Sequence, residues 1–440
     1  MKHSCSIILA LAILFAGCRP GPADVKVGRT LPGWQQGWLD IHSINTGRGE
    51  SYLYILPDGT TMLVDASGAR AEEIVHMDPP GVPSRPSYEI SPGSVINRYL
   101  DKYLPAESEG KIDYFMLSHY HGDHMGLLPK KEADFVYSSD GSYAETSLSE
   151  IGEVHPFRRV IDRGPFDNRA SAVYFNADGR RLYANYLKFL AWSTKKNGTV
   201  HEALQVGRDD QITLTHDPDA YPGFSVRNIA AGGNVWTGEG FEVDSTWVPS
   251  AAECLSYGDS VANKLRKGMP KINENIFSCV FQLRYGKFDW YSGGDVQHKH
   301  RSEVPWFDME LPISKVVRPV DAMKMSHHGT LGANSPEICR ALKPNVAIAS
   351  GWRDVHPNPK TIKCLIKASP DVRIITTNMT ARNEEVLASS GIDMDRFIAT
   401  GGHAVIRVEP GGSRYYVFVL DDGDFRYRVK AIAGPYDCTD

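Results

Sequence analysis

The sequence predicts a layered α/β sandwich with one chemically active edge. Strand-like and helix-like segments alternate at both ends of the chain, and no repeat period is visible. Several predicted strands run straight into short loops of His, Asp and Gly. With 440 residues, 42% hydrophobic and 23% charged, one sheet-based domain carrying an insertion accounts for the chain. A core of that size needs neither disulfides nor a structural metal merely to fold.

The N-terminus stands apart from that core. Lys2 and His3 form a basic start, residues 7–15 are an apolar run, and Phe15-Ala16-Gly17-Cys18 follows. The run is too short to span a bilayer as a helix, so residues 1–17 read as a secretory signal. Small residues directly before a cysteine resemble the bacterial lipoprotein processing site. That resemblance implies lipid on Cys18, export, and anchoring to a bacterial cell membrane. Residues 18–36, rich in Pro and Gly, then form a tether, and 37–440 the folded domain. Cys5 leaves with the signal. Cys254, Cys279, Cys339, Cys364 and Cys438 show neither zinc-ribbon nor disulfide-ladder spacing, so one or two bridges and buried free thiols both stay open. The net charge of −5 and basic pairs such as Arg158-Arg159 scattered among acids give no support for a dedicated nucleic-acid-binding surface.

Along the domain, residues 38–44 and 52–56 read as strands, and Pro57-Asp58-Gly59 turns into a third at 61–65. From Pro92 to residue 103 the pattern is helical, with Val95, Ile96, Tyr99 and Leu100 on one face. A strand at 111–117 delivers the chain into Ser118-His119. At about 130–272 the pattern loosens, as an insertion would. That stretch holds a helix-like piece at 182–192 and strand-like pieces at 211–215 and 224–229. Strands at 276–285 and 288–291 meet at Gly286-Lys287. Strands at 321–325 and 346–350 flank a helix at 336–342, and 404–408 pairs with 415–420 around Gly411-Gly412.

The strongest chemical signal is Ser118-His119-Tyr120-His121-Gly122-Asp123-His124. Three histidines and an aspartate on one tight loop suit zinc and other borderline divalent metals. A chance surface cluster would sit in His-rich low complexity, which is absent. His119-x-His121-x-Asp123-His124 resembles the signature loop of the metallo-β-lactamase superfamily. The surrounding chain resembles the soluble hydrolase domain of ComEC/Rec2-type competence proteins and the phosphorylcholine-esterase branch. Further blocks agree in order: Asn45-Thr46-Gly47-Arg48-Gly49-Glu50-Ser51, Leu63-Val64-Asp65-Ala66, Ser292-Gly293-Gly294-Asp295, Lys324-Met325-Ser326-His327-His328-Gly329-Thr330 and Val355-His356-Pro357-Asn358. Together they span about residues 38–420.

That resemblance implies a metallo-β-lactamase-like αββα four-layer sandwich with two divalent metal ions, zinc first and manganese second. It implies His119 and His121 on one metal, Asp123 and His124 on the other, and Asp295 bridging both. His328 would complete the second metal, with His327 contacting substrate, although the residues alone leave the two interchangeable. Asp65 would fix a ligand histidine through its other ring nitrogen. The Gly293-Gly294 pair suggests close backbone approach to the metal loop. Asp123, His327 and His356 are the expected catalytic groups, His356 binding or protonating substrate, and Arg353 could neutralise an anion. Many superfamily members add a third histidine to the first metal. His155, His201 and His216 are the candidates here, and none lies in a motif; the esterase-like branch lacks that motif too. His42, His298, His300 and His403 read as structural. The implied activity is hydrolysis by metal-activated water, of an anionic phosphodiester first. Acyl hydrolysis of a lactone, lactam or amide is the alternative, and a non-catalytic surface lipoprotein on the same scaffold is the third reading.

Overall fold

The computed structural model describes residues 21–68, 82, 85–87, 89–165, 177–248, 273–298 and 305–439. The expected signal peptide, Cys18, the first residues of the tether, Cys254 and His300 lie outside the described residues.

Two nine-stranded sheets organise the domain. The first runs β18 (Val429–Asp437), β17 (Arg414–Leu420), β16 (His403–Val408), β1 (Leu39–Ser43), β2 (Tyr52–Ile55), β3 (Thr61–Val64), β4 (Ile112–Met116), β5 (Phe157–Asp162), β6 (Val200–Ala203). The second runs β15 (Phe397–Ala399), β14 (Arg373–Thr376), β13 (Val346–Ala349), β12 (Ala322–Lys324), β11 (Phe288–Ser292), β10 (Val280–Tyr285), β7 (Phe224–Ala231), β8 (Asn234–Trp236), β9 (Val243–Asp244). Strands β3 to β6 pair in parallel, as do β11 to β15, and the remaining pairs are antiparallel.

The sheets pack face to face through Ile41, Tyr54, Met62, Phe281, Leu283 and Trp290. Helices cover the outer face of each. On the first sheet, α1 (Pro92–Tyr103), α3 (Ser147–Val154) and α4 (Ala177–Asn197) bury Ile96, Leu100, Leu148, Ile151 and Phe189; α2 (Gly122–Met125) is a single turn at the site. On the second, α5 (Glu310–Ile313), α6 (Pro336–Leu342), α7 (Pro359–Ala368) and α8 (Ala381–Ser389) bury Ile313, Ile338, Leu342, Ile362, Leu365 and Leu387. The layers therefore run helix, sheet, sheet, helix. Strands covered on both faces carry nearly continuous apolar runs, which is why 346–350 and 415–420 are so plain in the sequence.

The stretch at about 130–272, read as an insertion, supplies β5 and β6 to one sheet and β7, β8 and β9 to the other. The strand expected at 211–215 does not form. Its Ile212 and Leu214 plug the edge of the inter-sheet core, while Thr213 and Thr215 backbone N–H groups donate to Tyr114 Oη and Thr60 Oγ1 instead of to a ladder. The strand expected from 276 starts at Val280, because Glu274–Phe277 forms a 3₁₀ turn whose Glu274 side chain serves the site. Cys279, Cys339, Cys364 and Cys438 are unpaired thiols. Among the described residues, no helix is long and apolar enough to cross a membrane.

Candidate metal centre

The C-terminal ends of β3, β4, β11, β12 and β13 open on one edge, the place where loops outside parallel strands gather ligands. β3 delivers Asp65, β4 the segment from Ser118 to His124, β11 Asp295, β12 His327 and His328, and β13 Trp352 and His356. Pairing of Val64 with Met116 sets Asp65 opposite Leu117, one residue before Ser118, and a Cys279 N–H donating to the Ser118 carbonyl at 2.8 Å ties the two sheets at this edge.

Asp295 Oδ2 is the meeting point. His124 Nε2 lies 3.2 Å from it, His328 Nε2 3.6 Å, and His119 Nε2 and His327 Nε2 3.8 Å each. His121 Nδ1 stands 3.1 Å from His119 Nε2, and Asp123 Oδ2 3.4 Å from His328 Nε2. The donor atoms of Asp123, His124, Asp295 and His328 all lie within 4.8 Å of one another. The fold thus brings together all six expected ligands, with His327 at the rim.

A partner behind each of three rings aims it. His124 Nδ1–H donates to Asp65 Oδ2 at 2.8 Å, and Asp65 also accepts from the Ser118 N–H and hydroxyl at 2.8 Å each. The same hydroxyl lies 3.0 Å from His119 Nδ1. Glu50 Oε1 stands 3.1 Å from His328 Nδ1, while Glu50 Oε2 is 2.7 Å from Lys324 Nζ. Lys324 also donates to the Gly294 carbonyl at 2.6 Å. Glu274, clamped by buried Arg163 at 2.8 and 3.1 Å, accepts the Tyr120 N–H at 3.0 Å and so holds the His loop from outside. Glu50, Lys324, Ser118, Glu274 and Arg163 had no role in the sequence reading. Glu50 and Lys324 sit inside blocks that had been singled out, but which ring they serve is decided by packing.

The Gly293-Gly294 pair does not touch the metal loop as expected. A Cβ on Gly293 would meet Ser326 Oγ at 2.5 Å and one on Gly294 would meet Ser278 Cβ at 2.6 Å, so that pair packs against neighbouring loops. The glycine pressed on the metal loop is Gly49, at φ +73, where a Cβ would lie 2.0 Å from the Asp123 carbonyl oxygen. Asp65, His327 and His328 are non-glycine residues at φ 60, 48 and 56. Such backbone costs about 1–3 kcal/mol per residue and concentrates at functional sites.

The charges fit a cation. Glu50, Asp65 and Asp295 are each 1% exposed, and among the described residues Lys324 is the one buried ammonium beside them. His328 Nε2, fully buried, makes no hydrogen bond among the described residues. Burial opposes ionisation of Asp123 and Asp295, yet the neighbouring histidines, with Arg48 acting on Asp123, hold both carboxyls well below their usual range. Burial, then His124, keeps His119 neutral. Burial works against protonation of His124 and His328, but Asp295 with Asp65 or Glu50 outweighs it, pushing His124 well up and His328 to about 9. A divalent ion bound at these rings would therefore displace protons.

Around the cluster, His327 is bracketed by Gln297 Nε2 at 2.9 Å and Asn275 Nδ2 at 3.3 Å, and burial lowers it to about 4. His356 stacks on His328 with centroids 5.0 Å apart, kept neutral first by burial and then by the His328 charge. The candidate third ligands are taken up elsewhere: His155 Nδ1 by the Gly110 carbonyl at 2.8 Å, His201 by Asp162 at 2.8 Å, and His216 near Asp113 at 3.6 Å. His42 meets Tyr99 Oη at 2.9 Å and His403 accepts the Asn45 N–H at 2.9 Å, both in packing roles. A separate cavity of about 210 Å³ lies on β7, β8 and β10, lined by Arg227, Arg284 and Arg318 with Trp236. It is remote from this chemistry, and Asp209 and Asp289 pair with its arginines.

No family model matches the chain. A stretch of 109 residues, 24% of the chain, is 26% identical to ComE operon protein 3 of Bacillus subtilis (strain 168), and this match spans 13% of that protein's length. A solved chain from Parabacteroides distasonis ATCC 8503, described provisionally as a metal-dependent hydrolase, is 13% identical with a TM-score of 0.32, over 78% of this chain and 94% of that one.

Proposed function

We propose that the chain is a metal-dependent hydrolase of the metallo-β-lactamase type, acting on a phosphodiester. One observation carries the reading: four imidazoles converge within 3.8 Å of a single buried carboxylate oxygen, with Asp123 alongside. His119, His121 and Asp295 would hold one divalent ion, and Asp123, His124, Asp295 and His328 a second, zinc first and manganese next. Bound divalent ions lower the pKa of a coordinated water and polarise the electrophile. The protein's own part is to exclude bulk water, to aim the rings through Asp65, Ser118 and Glu50, and to present neutral His327 and His356 to the substrate. The partial match to ComE operon protein 3 is consistent with a hydrolase family over the stretch it covers and does not select a branch of it.

The test is metal analysis followed by a reconstituted screen with bis-nitrophenyl phosphate, nitrophenyl phosphorylcholine, single-stranded DNA and a chromogenic lactam. Close to two ions per chain and turnover of a phosphodiester are expected, and Asp295→Ala should lose metal from both positions. A folded protein that binds no metal overturns the hydrolase reading. Preference for the lactam replaces phosphodiester with acyl hydrolysis. Metal binding without turnover of any probe favours a non-catalytic lipoprotein. We further propose that Cys18 carries the lipid that holds the exported enzyme at a bacterial membrane. Fatty-acid labelling should mark the wild type and vanish in Cys18→Ser.

A further inference from the structure

Behind His327 runs a relay of two side-chain amides that ends on a backbone donor. Asn273 caps the 3₁₀ turn Glu274–Phe277, its Oδ1 accepting the Asn275 backbone N–H at 3.1 Å. Its Nδ2 donates to Gln297 Oε1 at 3.1 Å. Gln297 Nε2 in turn stands 2.9 Å from His327 Nδ1. On the other side of the ring, His327 Nε2 lies 3.8 Å from Asp295 Oδ2, with Asn275 Nδ2 at 3.3 Å. Asn275 Oδ1 has no hydrogen-bond partner among the described residues, although the residue is 3% exposed.

A side-chain amide can turn over and exchange donor for acceptor, but a backbone N–H cannot. The Asn275 N–H therefore fixes Asn273 with its oxygen toward the turn and its NH₂ toward Gln297. Gln297 must then give its oxygen to Asn273 and its NH₂ to His327. A donor facing Nδ1 requires a lone pair there, and a neutral imidazole has one lone pair and one N–H, so the proton resides on Nε2. Asn275 agrees with this, since its amide, turned over, points the partnerless oxygen at that Nε2–H.

We propose that Asn273 and Gln297 are positioning residues that hold His327 as its Nε2–H tautomer, so that the ring offers the metal centre a hydrogen-bond donor and not a ligating lone pair. His328 is then the member of the pair that ligates metal, and His327 donates to an oxygen of the substrate. The donor role rests on the phosphodiester reading, whereas the tautomer does not.

Nitrogen-15 histidine labelling with long-range proton–nitrogen NMR reads the tautomer, the ring signals being assigned by their loss in His327→Gln. In wild type Nε2 should carry the proton and Nδ1 none, before and after zinc is added. Loss of the Nε2 proton on adding zinc would make His327 a ligand and overturn the proposal. Asn273→Asp keeps an oxygen on the Asn275 N–H but offers Gln297 only a second oxygen, so Gln297 turns over. Nδ1 should then gain the proton, although Gln297 stands between residue 273 and the ring. Gln297→Glu should likewise protonate Nδ1, and an unprotonated Nδ1 in either variant overturns the relay. In zinc-loaded Asn273→Asp, kcat on bis-nitrophenyl phosphate should drop about 10²-fold at nearly unchanged KM, the loss of one donor to the reacting group. Wild-type kcat with the inverted tautomer overturns the donor role. If wild type cleaves no phosphodiester while the ring signals behave as expected, the relay stands and the phosphodiester reading fails.

Discussion

Replacing Glu50 with glutamine keeps the volume and removes the charge. Glu50 is 1% exposed, 2.7 Å from Lys324 and 3.1 Å from His328, with its backbone N–H donating to the Asp123 carbonyl at 3.1 Å. Two losses follow. Lys324 is left buried with the Gly294 carbonyl and, at 3.9 Å, Asp295 as its remaining company. Removing one member of a buried ion pair costs about 3–5 kcal/mol, and the amide's remaining acceptor oxygen argues for the lower figure, about 3 kcal/mol. His328 also loses the anion behind Nδ1, and removal of such an outer partner lowers metal affinity about 10–100-fold. Urea unfolding of the metal-free protein reads the first effect, and chelator competition the second. Burial disfavours the Glu50 charge, but Lys324 and His328 outweigh it and hold the carboxyl below its usual range. Its contribution is therefore present above the ordinary carboxylate pKa and fades as pH falls through the folded value, so wild type and Glu50→Gln should converge in acid. Wild-type chelator competition at unchanged unfolding free energy would refute the reasoning. A destabilised variant with normal metal affinity would reduce Glu50 to a structural ion pair.

Glu310 gives a pH prediction of opposite sign. Burial raises it from 4.5 to about 7, although the Asn334 and Ser335 N–H groups each donate to it at 2.6 Å. Between those values the unfolded chain has released a proton that the folded chain retains, so stability should fall by about 3 kcal/mol as pH rises through the window. Comparing unfolding free energies of wild type and Glu310→Gln across that range checks it, since the variant should lack this slope. Gly49→Ala should cost about 2 kcal/mol or more and weaken metal binding, because its Cβ collides with the Asp123 carbonyl at a left-handed φ; normal chelator competition would count against that contact. His356→Ala should keep its metal while phosphodiester turnover drops about 10²–10³-fold, read by elemental analysis alongside kinetics, and wild-type turnover would remove His356 from the substrate's surroundings.

The primary sequence was enough for what depends on neighbours along the chain. The loop from His119 to His124 could be read because all its donors sit within one turn and a strand feeds it directly. The α/β character and α1 could be read because apolar periodicity is local, with Val95, Ile96, Tyr99 and Leu100 on one buried face. Asp295, His328 and His356 could be placed at one edge because each follows a strand in a recognisable block.

Partnership was left to the tertiary structure. Whether Glu50 backs His328 or another ring depends on bringing residue 50 next to residue 328, and nothing in either block encodes that encounter. The 130–272 stretch looked like an insertion because short edge strands such as β6 and β8 carry weak alternation and gain order from the neighbours they pair with. Residues 211–215 have a strand's composition, yet side-chain burial at Ile212 and Leu214 and bonds to Tyr114 and Thr60 won over a ladder. The packing on Trp352 likewise joins residues 48 and 353, delivered by different sheets. A cation meeting an indole from across the fold is a property of packing, and only the folded chain could decide it.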